Sequence, residues 1–384
     1  MAGIHKTTDE YEIMTDTRSK ELTEVLEKLS QLVAFDTQNP PRNINAEGGI
    51  IGYLKEQLPG FEFKLYDAGN ACMGLLATRG KTDRLFNFHI DTVPIAPNWT
   101  REPHQLTIES DKAYGLGACD IKGASACMLV AAQHTSEPLA LLFSTDEEHG
   151  SSAAVKYFLT ENHDYKEVLV SEPTEAKAVL AHRGIQSANI QFTGVSGHGS
   201  AERAIQDNAI HKASKWLAKT LDWIVDLDAS FQNLKSVPFN AGKIEGGIKA
   251  NMIAADCSLS FGFRPLPGMN SSHMLESMAE IALSVTKDEQ LFSLTPAFFG
   301  PTLPAASQDF ARAITRAEQL AEDCAIEVGD AVSFWTEASL FSDADMTALV
   351  YGPGNIEQAH TPDEWVALEQ LDSVVQKYIN IITQ

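Results

Sequence analysis

Apolar positions recur along the chain in two different rhythms. From Thr17 onward Leu22, Val25, Leu26, Leu29, Leu32 and Val33 fall at helical spacing, which predicts an amphipathic helix stopped by the Asn-Pro-Pro-Arg run at 39–42. A second helix is predicted over Gly49 to Leu58, closed by Pro-Gly-Phe. Three strands follow, in "FEFKLY", "ACMGLLATRG" and "RLFNFHIDTVP". A unit then repeats: helix in "DIKGASACMLVAAQH", apolar strand in "LALLFSTDEE", helix in "SSAAVKYFLTEN", strand in "EVLVSEPT". The same grammar returns in "TALVYGPGNIEQAHT" and a last helix through "LEQLDSVVQKYINII". Strands that are apolar along their length and alternate with helices predict an α/β fold with a mostly parallel sheet covered on both faces.

Between these halves the rhythm changes. "AVLAHRGIQSANIQFTGVSGHGS" alternates like a half-buried strand, "DNAIHKASKWLAKTLDWIVDL" reads as a helix, and "FNAGKIEGGI" with "AADCSLSFGFRPLP" as a strand pair. "SSHMLESMAEIALSVT" reads as a helix and "QLFSLTPAFFG" as a strand. This is the split-βαβ, ferredoxin-like order, predicted as an inserted α+β domain over residues 177–290. The enclosing α/β domain is then 17–176 and 291–384, and residues 1–16, which lack the apolar core of a signal peptide, are expected to be a disordered extension.

Composition narrows the partners. The 384 residues carry 29 Lys and Arg against 52 Asp and Glu, a formal charge of −23 that disfavours nucleic acid and anionic membranes. No apolar run is long enough to span a bilayer. The five cysteines, Cys72, Cys119, Cys127, Cys257 and Cys324, are scattered and contain no CxxC pair, which fits a reducing cytoplasm and indicates neither a disulfide framework nor a thiolate metal site.

In open α/β sheets functional groups gather at the carboxyl ends of the strands. Those ends hold His89 and Asp91, Glu147 and Glu148, Glu172 and, beyond the last strand, His360, while Asp120 opens a helix. Histidines and carboxylates converging with no nearby lysine cluster to neutralise them call for a cation, and nitrogen and oxygen donors without thiolate suit zinc, with cobalt or manganese as substitutes. So many donors oversupply one ion, so two are expected, with Asp120 bridging; three ligand carboxylates, Asp120, Glu148 and Glu172, plus one hydroxide would balance them. His89 and Asp91 share a strand face, so Asp91 is expected to orient the imidazole. Adjacent Glu147 and Glu148 must diverge, which suggests one ligand and one general base. "GLGACDIKG" is no dinucleotide loop, because Asp120 stands where a glycine is required.

Taken in order, "HIDTVP", "GLGACDIKG", "STDEEHG", "SEPT", "GVSGHGS" and "GPGNIEQAHTPDEW" resemble the motifs of the di-zinc metallohydrolases that include aminoacylases, carboxypeptidase-G-like enzymes, desuccinylases and deacetylases. The resemblance spans nearly the whole chain after Met14. It implies His89, Asp120, Glu148, Glu172 and His360 as ligands, Glu147 as general base, and an inserted lid that also forms a homodimer. "NPPR", "LAHRGI", "GGIKANMIA", "FGFRPLP" and "FWTEASLF" look most like the branch that deacetylates acetylornithine or acetylcitrulline in arginine biosynthesis. That likeness implies that His198 polarises the scissile carbonyl, typically from the partner subunit, and that Asn251 and Arg264 bind the substrate carboxylate. A guanidinium suits that task because it grips a carboxylate bidentately. Glu337 suits either an ornithine ammonium or a citrulline ureido group. The alternatives are a desuccinylase, aminoacylase or dipeptidase using the same apparatus, or a metal-dependent binding protein without catalysis.

Overall fold

The computed structural model describes residues 18–149 and 152–384; the extension expected over 1–16 lies outside the described residues. Its main sheet has six strands in the spatial order Glu62–Asp67, Met73–Arg79, Leu139–Ser144, Arg84–His89, Glu167–Val170 and Thr347–Val350. The first two pairings are antiparallel and the remaining three parallel. The parallel part reads as predicted from its apolar runs: all six residues of Leu139–Ser144 are buried, whereas the edge strand Glu62–Asp67 is mostly exposed. On one face the helices Lys20–Ala34, Lys122–Gln133 and Leu368–Thr383 share one core. Lys122–Gln133 is buried nearly along its length, and its Gly, Ala, Ser and Cys side chains let neighbours approach closely. The other face is covered by Ala153–Phe158 and Ala338–Asp343.

The second sheet has the order Phe239–Gly246, Asp256–Phe263, Ile185–Thr193, Phe292–Gly300, every pairing antiparallel. Helices Ala209–Asp226 and Ser271–Thr286, each capped by an asparagine side chain, cover one face. Inward residues such as Ile190 and Leu259 sit opposite each other across the ladder, and Trp216 beneath them donates its indole N–H to the Met278 carbonyl at 3.0 Å. The sheet runs past the expected boundary at 290, since its fourth strand ends at Gly300. Sequence patterning also passes over a small sheet of 107–109, 112–114 and 365–367, and the helix Phe310–Asp323, whose buried stripe is built largely of alanines. None of the helices among the described residues is long and apolar enough to cross a membrane.

Where the chain passes between the two sheets, His182 is fully buried and bridges to Leu303 and Val332. Its Nδ1 donates to the Arg183 carbonyl at 2.8 Å, and its Nε2 accepts from the Thr336 hydroxyl at 3.1 Å, so the ring is neutral. Burial lowers its pKa to about 4. A histidine depressed in the folded state contributes stability that is complete above its unfolded value near 6.5 and is lost as pH falls through about 4. Denaturation midpoints should therefore reveal a loss of about 3 kcal/mol between pH 6.5 and 4. A His182→Gln variant, less stable at pH 7, should show a correspondingly shallower decline; an unchanged slope would contradict this.

Candidate metal centre

The carboxyl ends of the parallel strands bring their polar residues to one rim. His89 ends its strand, Glu147 and Glu148 follow Leu139–Ser144, Glu172 follows Glu167–Val170, and Asp120 precedes the helix Lys122–Gln133. His360 arrives from beyond Thr347–Val350 with φ 60°, and its side chain is half exposed at the rim. Asp120 occupies the middle. Its Oδ1 lies 3.0 Å from His89 Nε2 and its Oδ2 3.4 Å from His360 Nε2. Outward from the histidines, His360 Nε2 is 3.1 Å from Glu148 Oε2, and His89 Nε2 is 3.8 Å from Glu172 Oε2. The result is a chain, Glu172–His89–Asp120–His360–Glu148, with one Asp120 oxygen turned to each half.

The electrostatics follow from packing like charges out of water. Burial, reinforced by Asp120, raises the Glu148 carboxyl, and burial raises Glu172 to about 7. Burial, with Glu172 and Glu148 beside it, holds Glu147 well above the usual carboxylate range. For Asp120 burial acts upward, but hydrogen bonds from His360 and His89 outweigh it and bring the carboxyl below its ordinary value. The hydrogen bonds to Asp120 and Glu148 push His360 up to about 11.

The donor set fits divalent ions. Glu148 Oε1 is buried with no hydrogen-bond partner, and His89, Asp120 and Glu148 each offer an atom within 4.8 Å of the others. Imidazole and carboxylate donors without sulfur match zinc chemistry.

Asp91 is placed differently from expectation. Its carboxylate accepts from Asn39 Nδ2 at 2.8 Å and from the backbone N–H groups of Glu147 and Glu148 at 3.3 and 3.1 Å. His89 Nδ1 lies 3.1 Å from the Asp91 carbonyl, against 3.6 Å from its carboxylate, so the backbone oxygen is the hydrogen-bond acceptor. Asp91 therefore fixes the Glu147–Glu148 turn as well as the imidazole. Asp146 accepts from Ala153 N and Ala154 N, capping the helix Ala153–Phe158.

A cavity of 560 Å³ opens on Asp120, Glu147, Glu148, Glu172 and His360, and Arg264 reaches it from the second sheet. Burial lowers the Arg264 pKa. The far wall is Ile185, Phe298, Phe334 and Trp335. Behind Phe298 a larger cavity of 650 Å³ holds no comparable cluster.

Three residues expected to contact the substrate do not line this cavity. His198 is exposed, with Nδ1 2.7 Å from the Ser200 hydroxyl, and pairs with Met252, while the Asn251 carbonyl accepts from Gly199 N at 2.7 Å. A Cβ at Gly199 would come within 3.0 Å of the Asn251 backbone, which explains the glycine there. Glu337, expected to meet the substrate side chain, is instead 1% exposed beneath the floor, where one oxygen accepts from Ser144 Oγ at 2.8 Å. Burial raises it to about 8. Sequence reading also passed over Glu364, whose carboxylate accepts from the N–H groups of Gly117, Cys119 and Asp120, each at 2.9 Å. Its only local signal is its place in "AHTPDEW", four residues after His360.

The sequence profile of peptidase family M20/M25/M40 matches residues 85–384. The chain is 47% identical over 365 residues to N-acetyl-L-citrulline deacetylase of Xanthomonas campestris pv. campestris, covering 94% of this chain and 98% of the relative. It is 33% identical over 318 residues to acetylornithine deacetylase of Edwardsiella ictaluri, covering 76% and 80%. Among solved structures, aminopeptidase PepT of Bacillus cereus superposes with a TM-score of 0.73 at 18% identity, covering 94% and 99%. The YXEP protein of Bacillus subtilis, described as a dinuclear metal-binding peptidase of the M20 family, does so with 0.66 at 12%, covering 94% and 97%.

Proposed function

The chain belongs to peptidase family M20/M25/M40, and from that premise we propose that it hydrolyses the acetyl amide of an Nα-acetyl-L-amino acid, N-acetyl-L-citrulline before others, in arginine biosynthesis in the cytoplasm. The observation that carries this reading is the convergence of Asp120, Glu148, Glu172, His360 and Arg264 on one cavity. Two ions, zinc or cobalt, would be held by His89 with Glu172 and by His360 with Glu148, sharing Asp120. When bound, they supply the Lewis acidity that polarises an amide carbonyl and acidifies water.

The chain's own residues supply the rest. Arg264 grips the α-carboxylate and so sets the distance of the amide from the cluster. Glu147 takes a proton from the attacking water as the C–O bond forms, then delivers it to the leaving nitrogen as the C–N bond breaks, releasing acetate and the free amino acid. His198 and Asn251 complete the site from a second copy of the chain, His198 facing the developing oxyanion. Their exposure on the second domain, beside an edge strand, Phe239–Gly246, that is exposed along nearly all its length, supports a homodimer formed there.

The cavity wall favours citrulline. Among the described residues lining it, every carboxylate is a proposed metal ligand or the general base Glu147, and the rest, His360 apart, is aromatic and aliphatic except for Ser333 and the Arg264 cation. An ornithine ammonium would be desolvated there without a partner, whereas a neutral ureido group would not carry that cost. The zinc-loaded protein should show kcat/KM for N-acetyl-L-citrulline at least about tenfold above that for N-acetyl-L-ornithine. Equal or better turnover of the ornithine substrate would reject the citrulline assignment.

A further inference from the structure

Resting on the metal-centre reading above, we propose that Glu364 is the positioning residue of that centre: it locks the loop carrying Asp120 to the segment carrying His360. The two ligands stand far apart in sequence, yet the separation of their side chains must be held to within about 0.5 Å for one carboxylate to serve both halves.

Three observations converge on Glu364. Its side chain is 2% exposed, and its Oε1 accepts from both Cys119 N and Asp120 N while Oε2 accepts from Gly117 N. Its carbonyl accepts from Gly115 N at 3.0 Å, so main chain and side chain grip the same loop from Gly115 to Asp120. Immediately after it, Trp365–Ala367 pairs with Lys112–Tyr114, which continues the clamp as a sheet ladder. A carboxylate is acceptor-only, and every oxygen here faces N–H donors. Glutamine keeps the shape but turns an NH₂ toward the donor on Gly117. Aspartate keeps the charge but falls a methylene short.

Neighbouring Asp363 provides the contrast. It accepts from Thr100 N, the Thr100 hydroxyl and Arg101 N, anchoring a different loop that carries no ligand. Clamping as such is therefore separable from positioning Asp120.

The test is zinc titration of the metal-depleted full-length protein by calorimetry, with the melting temperature of each metal-free variant measured alongside. Wild type should bind two ions. E364Q and E364D should bind at least one of them about 10–100-fold more weakly, with D363N close to wild type. Wild type that binds no ion would remove the metal-centre reading and this proposal together. Two ions bound by wild type and, with unchanged affinity, by either folded Glu364 variant would remove this proposal alone. It is equally overturned if D363N weakens metal as much as E364Q does. Failure of both Glu364 variants to fold would assign the residue a purely structural role and overturn it as well.

Discussion

Glu147→Gln is expected to lower kcat by about 10³-fold while the protein keeps its full complement of metal. Glu147 lines the cavity but lies outside the chain of contacts that links the five proposed ligands. Its backbone N–H is fixed by Asp91 Oδ1 at 3.3 Å, so the turn aims one carboxylate of the pair at the cluster and the other at the open space beside it. Burial first, then Glu172, Glu148 and Glu337, raise its proton affinity. Glutamine fills the same volume and cannot accept the proton. Turnover and bound metal measured on one preparation decide the matter; near-normal kcat in a metal-replete variant would remove the general-base assignment.

Asp120→Asn should be as damaging for a different reason. Asp120 presents one oxygen to each histidine at 3.0 and 3.4 Å, and hydrogen bonds from both rings overcome burial to keep it ionised. An asparagine would turn its NH₂ toward one of the two halves and remove one of the negative charges offsetting two divalent cations. Metal affinity is expected to fall at least about 100-fold in one half, and activity with it. Calorimetric titration checks this, and two ions bound at wild-type affinity would refute the bridging role.

How much of this was legible in the sequence depended on how local each determinant is. Apolar runs such as Leu139–Ser144 announced buried parallel strands, and strand ends announced the rim, because both follow from a few consecutive residues. The crowded acids after that strand resolve into separate tasks: Asp146 caps a helix, while Glu147 and Glu148 face the cavity. The role of Glu364 was not legible, since its amide partners lie more than 240 residues away and its place in "AHTPDEW" does not say what the carboxylate touches. Glu337 was misjudged for the same reason: only the tertiary packing shows that it lies under the floor with Ser144 and not on the wall. The helix Phe310–Asp323 escaped because its buried stripe is small, with Ala313, Ala317 and Ala321 in place of larger apolar side chains. The boundary at 290 failed by one strand, because pairing with Ile185–Thr193 carries the second sheet on to Gly300.

Acetate release is the measurement closest to the central claim that this chain is a metal-dependent deacetylase. Zinc- or cobalt-reconstituted protein incubated with N-acetyl-L-citrulline should release acetate and free citrulline in equal amounts, and chelation should abolish both. No acetate from this substrate, from N-acetyl-L-ornithine or from a panel of other acetylated amino acids, in a preparation carrying two ions per chain, would contradict it.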